Sequence, residues 1–231
     1  MKRKGRFRLY CDEKLTFAMY LILSLLALGG ASGMASSSAG TSQSEGSTVP
    51  ETKKPPAWAN ETRLGKYQHA EEVLNETAIF YLVKSTYNKV EELWGTNFSC
   101  VSMRHIKEDN QTTYFSFKNS SAHTKYTLNL TTALTATFGY NESNAIQYQL
   151  PDCTLLNNTI IFTNDACTLM SVPYGNASND DEGCELWARE EYLKNDTVPL
   201  CCYFLFDMLC AKEGRYNLYD KKTCSSEQVA E

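Results

Sequence analysis

The chain has 231 residues, 42% of them hydrophobic and 21% charged, with 12 Gly, 6 Pro and 9 Cys. That make-up fits one or two packed domains and excludes a collagen-like fibre, a coiled coil and a wholly disordered chain. The formal net charge of −5 leaves no basic excess to neutralise phosphates, which argues against a nucleic-acid partner.

Residues 1–33 read as a secretory signal peptide. Lys2, Arg3, Lys4, Arg6 and Arg8 form a basic start, an apolar run extends from Leu15 to Leu28, and small residues follow from Gly29 to Gly33. Cleavage is expected near Gly33 or Ala35. The alternative, an uncleaved anchor, needs about 20 apolar residues to span the hydrocarbon core, and this run is shorter. No second apolar stretch reaches that length, so the processed chain is expected to be secreted, with no membrane association.

Loss of this segment removes six basic and two acidic residues and moves the net charge from −5 to −9. It also removes Cys11, leaving an even count that reads as up to four disulfides in an exported protein. The N-x-[ST] sequon occurs at Asn60, Asn75, Asn97, Asn110, Asn119, Asn129, Asn141, Asn157, Asn176 and Asn195, ten of the 16 asparagines. Such enrichment points to glycosylation, and it places those side chains on outward faces or loops.

Residues 34–57 are rich in Ser, Thr, Gly and Pro and read as a disordered leader, so the packed domain is expected over 58–231. Gly65 to Asn75 has the apolar spacing of a short helix. Eight β-branched and aromatic runs follow: 78–87, 97–105, 112–118, 125–130, 133–138, 145–150, 159–163 and 167–172. Cys184 to Arg189 reads as a further short strand. Pro199 then opens a helix to about Cys210, with Phe204, Leu205, Met208 and Leu209 expected against a sheet. This order suggests a mainly β fold, an eight-stranded antiparallel barrel with helices outside it, a sandwich being the competing answer.

The residues offer little for catalysis or metal. His69, His105 and His123 are the only histidines, with no HExxH, and the adjacent Cys201 and Cys202 suit one tetrahedral ion poorly. GxSxG, GxGxxG and P-loop patterns are absent. A monomeric binding protein without metal or cofactor is expected, not an enzyme.

Particular segments carry a resemblance. Trp58-Ala59-Asn60-Glu61, FYLVKSTY at Phe80–Tyr87, WGTNFSCV at Trp94–Val101, GYNESNAIQY at Gly139–Tyr148, EGCELW at Glu182–Trp187 and the VPLCC pattern near the C-terminus resemble the tick salivary lipocalins. The histamine-binding subgroup is the most similar. The resemblance implies a lipocalin-like eight-stranded barrel, secreted in saliva, that sequesters a small host mediator. It also implies Cys100–Cys224 and Cys167–Cys202 disulfides. Cys153, Cys184, Cys201 and Cys210 depart from the four-cysteine pattern and allow three pairings, of which Cys184–Cys210 with Cys153–Cys201 is the reading adopted.

By the same resemblance, Tyr87, Trp94, Tyr148 and Trp187 match aromatic positions around the amine, and Glu185 matches an acidic one. Four further acidic positions are altered. Leu130 and Thr168 stand at two of them, the register blurs at Glu76-Thr77 for a third, and Glu91 or Glu92 is the candidate for the fourth. An ammonium needs carboxylate and aromatic partners, so a biogenic amine such as histamine is the leading ligand. The losses at Leu130 and Thr168 make the interior more apolar and admit a lipid mediator such as a leukotriene as the variant. The alternative of another class is an inhibitor that binds a host complement or immune protein through surface loops.

Overall fold

A computed structural model describes residues 55–60, 63–90, 93–106, 112–119, 124–174, 182–210 and 214–224. The residues expected to form the signal peptide and nearly all of the leader lie outside these, as do Glu91, Asn110 and Asn176. The barrel unit comprises Pro55–Leu150 and the residues from Thr154 onward, and Pro151–Cys153 groups outside it.

Short 3-10 turns at Ala57–Asn60 and Gly65–Tyr67 lead to helix α1 (Ala70–Leu74). The helix expected over Gly65–Asn75 is therefore two pieces, because His69 takes an extended conformation, with φ −96° and ψ 106°, at the junction. The strands are β1 (Phe80–Ser85), β2 (Lys89–Val90), β3 (Gly95–Thr96), β4 (Phe98–His105), β5 (Thr112–Asn119), β6 (Thr124–Thr135), β7 (Ala145–Gln149), β8 (Leu155–Thr163), β9 (Cys167–Val172) and β10 (Gly183–Arg189). Helices α2 (Glu190–Lys194) and α3 (Leu200–Leu209), strand β11 (Tyr216–Asn217) and helix α4 (Lys221–Cys224) complete the described elements.

Strands β4 to β10 pair in sequence order, β1 joins β4, and β10 returns to β1, so eight antiparallel strands close a barrel. That closure rules out the sandwich. The closing seam pairs Leu82 with Trp187 and Ser85 with Glu185. The runs expected at 125–130 and 133–138 are one strand, β6. Thr131 and Thr132 between them are β-branched and carry no turn signal, so the strand continues and pairs first with β5 and then with β7.

Alternation along the strands sends one set of side chains inward: Met103 on β4, Phe115 on β5, Leu130 on β6, Tyr148 on β7, Ile160 on β8, Met170 on β9 and Trp187 on β10 share one buried cluster. Ala70, Val73 and Leu74 of α1 belong to the same cluster, as do Leu93 and Trp94 from the β2–β3 hairpin. A second cluster lies on the outer face, where Leu169, Leu186 and Ala188 meet Phe206 of α3. Strands β9 and β10 are consequently buried on both faces, and each core side chain removed from water contributes about 1.5–3 kcal/mol.

The face of α3 that packs differs from the one expected. Phe204 and Met208 are 64% and 56% exposed, whereas Cys202 and Phe206 are buried, with Leu205 and Leu209 partly so. The Cys167–Cys202 disulfide sets this rotation, because residues 204 and 208 lie about 200° round the helix from 202 and 206. The structure also joins Cys100 to Cys224 and Cys184 to Cys210. It does not form a Cys153–Cys201 bridge: Cys201 is free and exposed, turned about 100° from the inward Cys202, while Cys153 is disulfide-bonded but not to Cys201. Of the sequon asparagines, Asn75, Asn97, Asn129, Asn141, Asn157 and Asn195 are exposed and Asn119 is half-buried; the Asn60 side chain lies outside the described residues.

Two measurements follow from this framework. The Cys100–Cys224 bridge closes a separation of 124 residues, and loop closure of that length contributes about 4–5 kcal/mol. The Cys100→Ser/Cys224→Ser double variant is expected to melt roughly 10 °C lower by thermal denaturation, and an unchanged Tm would contradict the assignment. His105 is buried, its Nδ1 lies 2.7 Å from Thr113 Oγ1, and burial lowers its pKa from 6.5 to about 4. The unfolded chain therefore takes up this proton first, so His105 stabilises fully above about pH 6.5 and the contribution fades as pH falls towards 4, by about 3 kcal/mol in all. Urea denaturation across that range is expected to show a shallower acid loss for His105→Gln than for the parent.

Candidate functional site

The side chains leave only about 10 Å³ of free space at the centre of the barrel, room for about one water molecule. Trp94, Phe115, Tyr148 and Trp187 form its aromatic wall, and Leu93, Leu130, Leu156 and Met170 its aliphatic one. Asn158, Tyr174 and Glu185 supply polar groups, and Glu185 is the sole charged residue among the lining residues described. Ligand pockets run from about 300 to 1,000 Å³, so a guest larger than water enters here only when lining side chains move apart.

Glu185 is 1% exposed and reaches this position because β10 alternates, with Cys184 and Leu186 facing α3 and Glu185 and Trp187 facing inward. Its carboxylate is held by three donors. Tyr87 and Tyr174 hydroxyls both donate to Oε1, the latter at 3.1 Å, and Trp187 Nε1 donates to Oε2 at 2.9 Å. A carboxylate offers about four lone-pair directions, so Oε2 retains capacity for one more donor. Burial pushes the Glu185 pKa up, and the bonds from Tyr87, Trp187 and Tyr174 act in the opposite sense without cancelling it. Burial, followed by the nearby Glu185 charge, raises the hydroxyl pKa values of Tyr87, Tyr148 and Tyr174, so all three stay protonated as donors.

The supporting contacts are local. Ser85 Oγ donates to the Tyr87 carbonyl, and the Tyr87 ring meets Tyr174 edge-on at 5.6 Å. Gly183 permits this approach: a Cβ there would collide with the Tyr174 carbonyl oxygen and lie 3.0 Å from a Tyr87 ring carbon. Trp94 packs on Phe115 at 5.1 Å and on Phe117 at 5.4 Å between ring centroids, which holds its indole against β5. Two polar atoms in this lining lack partners among the described residues, Trp94 Nε1 and Asn158 Oδ1.

Of the residues named from sequence, Trp94, Tyr148, Glu185 and Trp187 line the space, and Tyr87 reaches it through its bond to Glu185. Glu91 lies outside the described residues. Leu130, at one of the altered acidic positions, is in the lining, whereas Thr168 is bonded to the Thr163 hydroxyl at 2.9 Å and is not among the lining residues. Glu76 forms an ion pair with Arg189 at 3.1 Å and supplies no charge to the lining. Sequence reasoning missed Asn158 and Tyr174. The Leu156-Asn158-Ile160 alternation was available for the first, had β8 been started at Leu155. Tyr174 follows Pro173 beyond the end of β9 and carries no periodic signal. Among the described residues no group of metal-ligating side chains occurs, and no helix is long and apolar enough to cross a membrane.

Comparison with known proteins finds relatives over most of the chain. A female-specific histamine-binding protein 1 from Rhipicephalus appendiculatus is 32% identical over 167 residues, covering 68% of this chain and 82% of that protein. A male-specific histamine-binding salivary protein from the same organism is 26% identical over 178 residues, covering 73% of this chain and 87% of that one. Among solved structures, a dog lipocalin allergen aligns with a TM-score of 0.42 and 10% identity over 65% of this chain and 98% of that one. The family model described as tick histamine binding protein matches residues 58–226, the stretch that contains every barrel strand, and the chain belongs to that family.

Proposed function

We propose that the protein is a secreted salivary scavenger that takes one small biogenic amine, such as histamine, into its barrel and so blunts host inflammatory and haemostatic responses. The observation that carries this reading is the buried Glu185 carboxylate, set among Trp94, Tyr148 and Trp187 with no basic residue in the described lining. Leaving an ionised carboxylate in such a place costs several kcal/mol. A guest ammonium offsets that cost by a charge-assisted bond to Oε2 and by cation–π contact with the surrounding rings. Two relatives are named for histamine binding, which supports the same chemistry.

With about 10 Å³ free at the centre, an amine asks the lining to open far less than the long acyl chain of a leukotriene does. The host-protein reading keeps one observation in its favour, the exposed Leu200, Phe204 and Met208 along one side of α3. Calorimetry of the secreted protein with histamine, serotonin and a leukotriene separates these readings, and silence toward all three would favour the surface.

Glu185→Gln is expected to weaken amine binding by roughly 30-fold or more, the usual loss when one partner of a buried charge pair is removed. An unchanged affinity would refute the role of this carboxylate. A pH dependence follows as well. The raised pKa of free Glu185 means that an arriving ammonium displaces a proton from the carboxyl wherever it is still protonated. Serotonin keeps its charge as pH is lowered, so its affinity is expected to fall with falling pH as the free carboxyl takes up its proton, and a flat profile would contradict the linkage.

A further inference from the structure

The outer wall of the barrel carries a recess of a different chemistry. Over β4, β5 and the start of β6, about 40 Å³ of free space, room for about three water molecules, is lined by Ser102, Ser116, Lys118 and Lys125 beside the Cys100–Cys224 disulfide. Alternation turns these side chains outward: Met103 and Phe115, the neighbours of Ser102 and Ser116, belong to the interior cluster. The recess shares no residue with the lining around Glu185.

Its polar groups are all suited to one sign of guest. Lys118 and Lys125 are direct cross-strand partners, and no acidic residue occurs in the described lining. Like charges set opposite each other destabilise a sheet, and a shared counter-ion removes that repulsion. The Lys118 ammonium is fixed in place by donating to the Thr223 carbonyl of α4 at 3.1 Å, next to Cys224. The half-buried Ser102 and Ser116 hydroxyls bond to each other at 2.8 Å and to no other group among the described residues. Two hydroxyls hold two protons and only one lies between the oxygens, so the other is left to donate to a guest.

We infer that this recess is an oxyanion site, which takes a tetrahedral sulfate or phosphate group either as the free ion or as an ester on a sugar. Two oxygens of the group accept from the Lys118 and Lys125 ammoniums, and a third accepts from the spare serine hydroxyl. Charge-assisted bonds of this kind are roughly twice as strong as neutral ones. The chain carries a net charge of −5, so its overall field repels anions and the local donors must supply the binding.

Two-dimensional NMR of the secreted protein tests this, with sodium sulfate and sodium phosphate titrated against sodium chloride at equal ionic strength. Saturable shifts of the Ser102, Ser116, Lys118 and Lys125 amides are expected with an oxyanion and not with chloride. Affinity is expected to fall at least ten-fold in Lys118→Gln/Lys125→Gln. In Ser102→Ala/Ser116→Ala, which leaves the charge unchanged, a loss of about five-fold or more is expected. A second titration separates the sources: N-acetylglucosamine 6-sulfate bound at least ten-fold more tightly than sulfate assigns the site to a sugar ester, and a smaller ratio assigns it to the free ion. Shifts that do not saturate, that chloride reproduces, or an affinity unchanged in either double variant overturn the inference. The parent titration decides the matter even if a variant fails to fold.

Discussion

The pairing of β10 with β1 is the contact on which the rest depends. It turns a curved sheet into a closed wall and gives each strand an inside. Register across this seam sets Glu185 opposite Ser85 and Trp187 opposite Leu82. A slip of one residue would turn Glu185 outward and bring Cys184 and Leu186 into the barrel, so the carboxylate and the outer core under α3 are fixed together. The Cys184–Cys210 and Cys167–Cys202 bridges anchor α3 to the same two strands, on the side away from the cavity. Covalent reinforcement is thus placed where the register of the functional strand is decided.

A buried polar cluster of this composition is costly to maintain. Glu185 is held by three donors and still has its pKa raised by burial, while Trp94 Nε1 and Asn158 Oδ1 forgo hydrogen bonds altogether. Each is a modest loss set against a much larger apolar core, and each is recoverable when a guest supplies the missing partner. The aromatic wall bears on guest size as well, since rings that fill the barrel resist the opening that a bulky guest needs.

Much of this was legible before any coordinates. Tyr148 fell on a cleanly alternating run, and Glu185 and Trp187 are two residues apart, so one inward side chain brings the other with it. Strand β10 was read as a strand even though GCELWAR, buried on both faces, lacks the alternation that marks a half-buried one. What failed had physical causes. Threonines at 131 and 132 looked like a polar interruption although β-branched residues extend strands readily. The packing face of α3 was misassigned because nearly every residue of LCCYFLFDML is apolar and the helix has no strong face of its own; a disulfide sets its rotation. Tyr174 was missed because loop residues gain their neighbours from the fold and carry no period.

The most direct test is a crystal structure of the secreted protein soaked with serotonin. The account predicts one molecule inside the barrel, its ammonium within about 3 Å of Glu185 Oε2 and its indole enclosed by Trp94, Tyr148 and Trp187. An interior that stays closed on its own side chains, with the amine on the outer surface or missing from the electron density at saturating concentration, would contradict it.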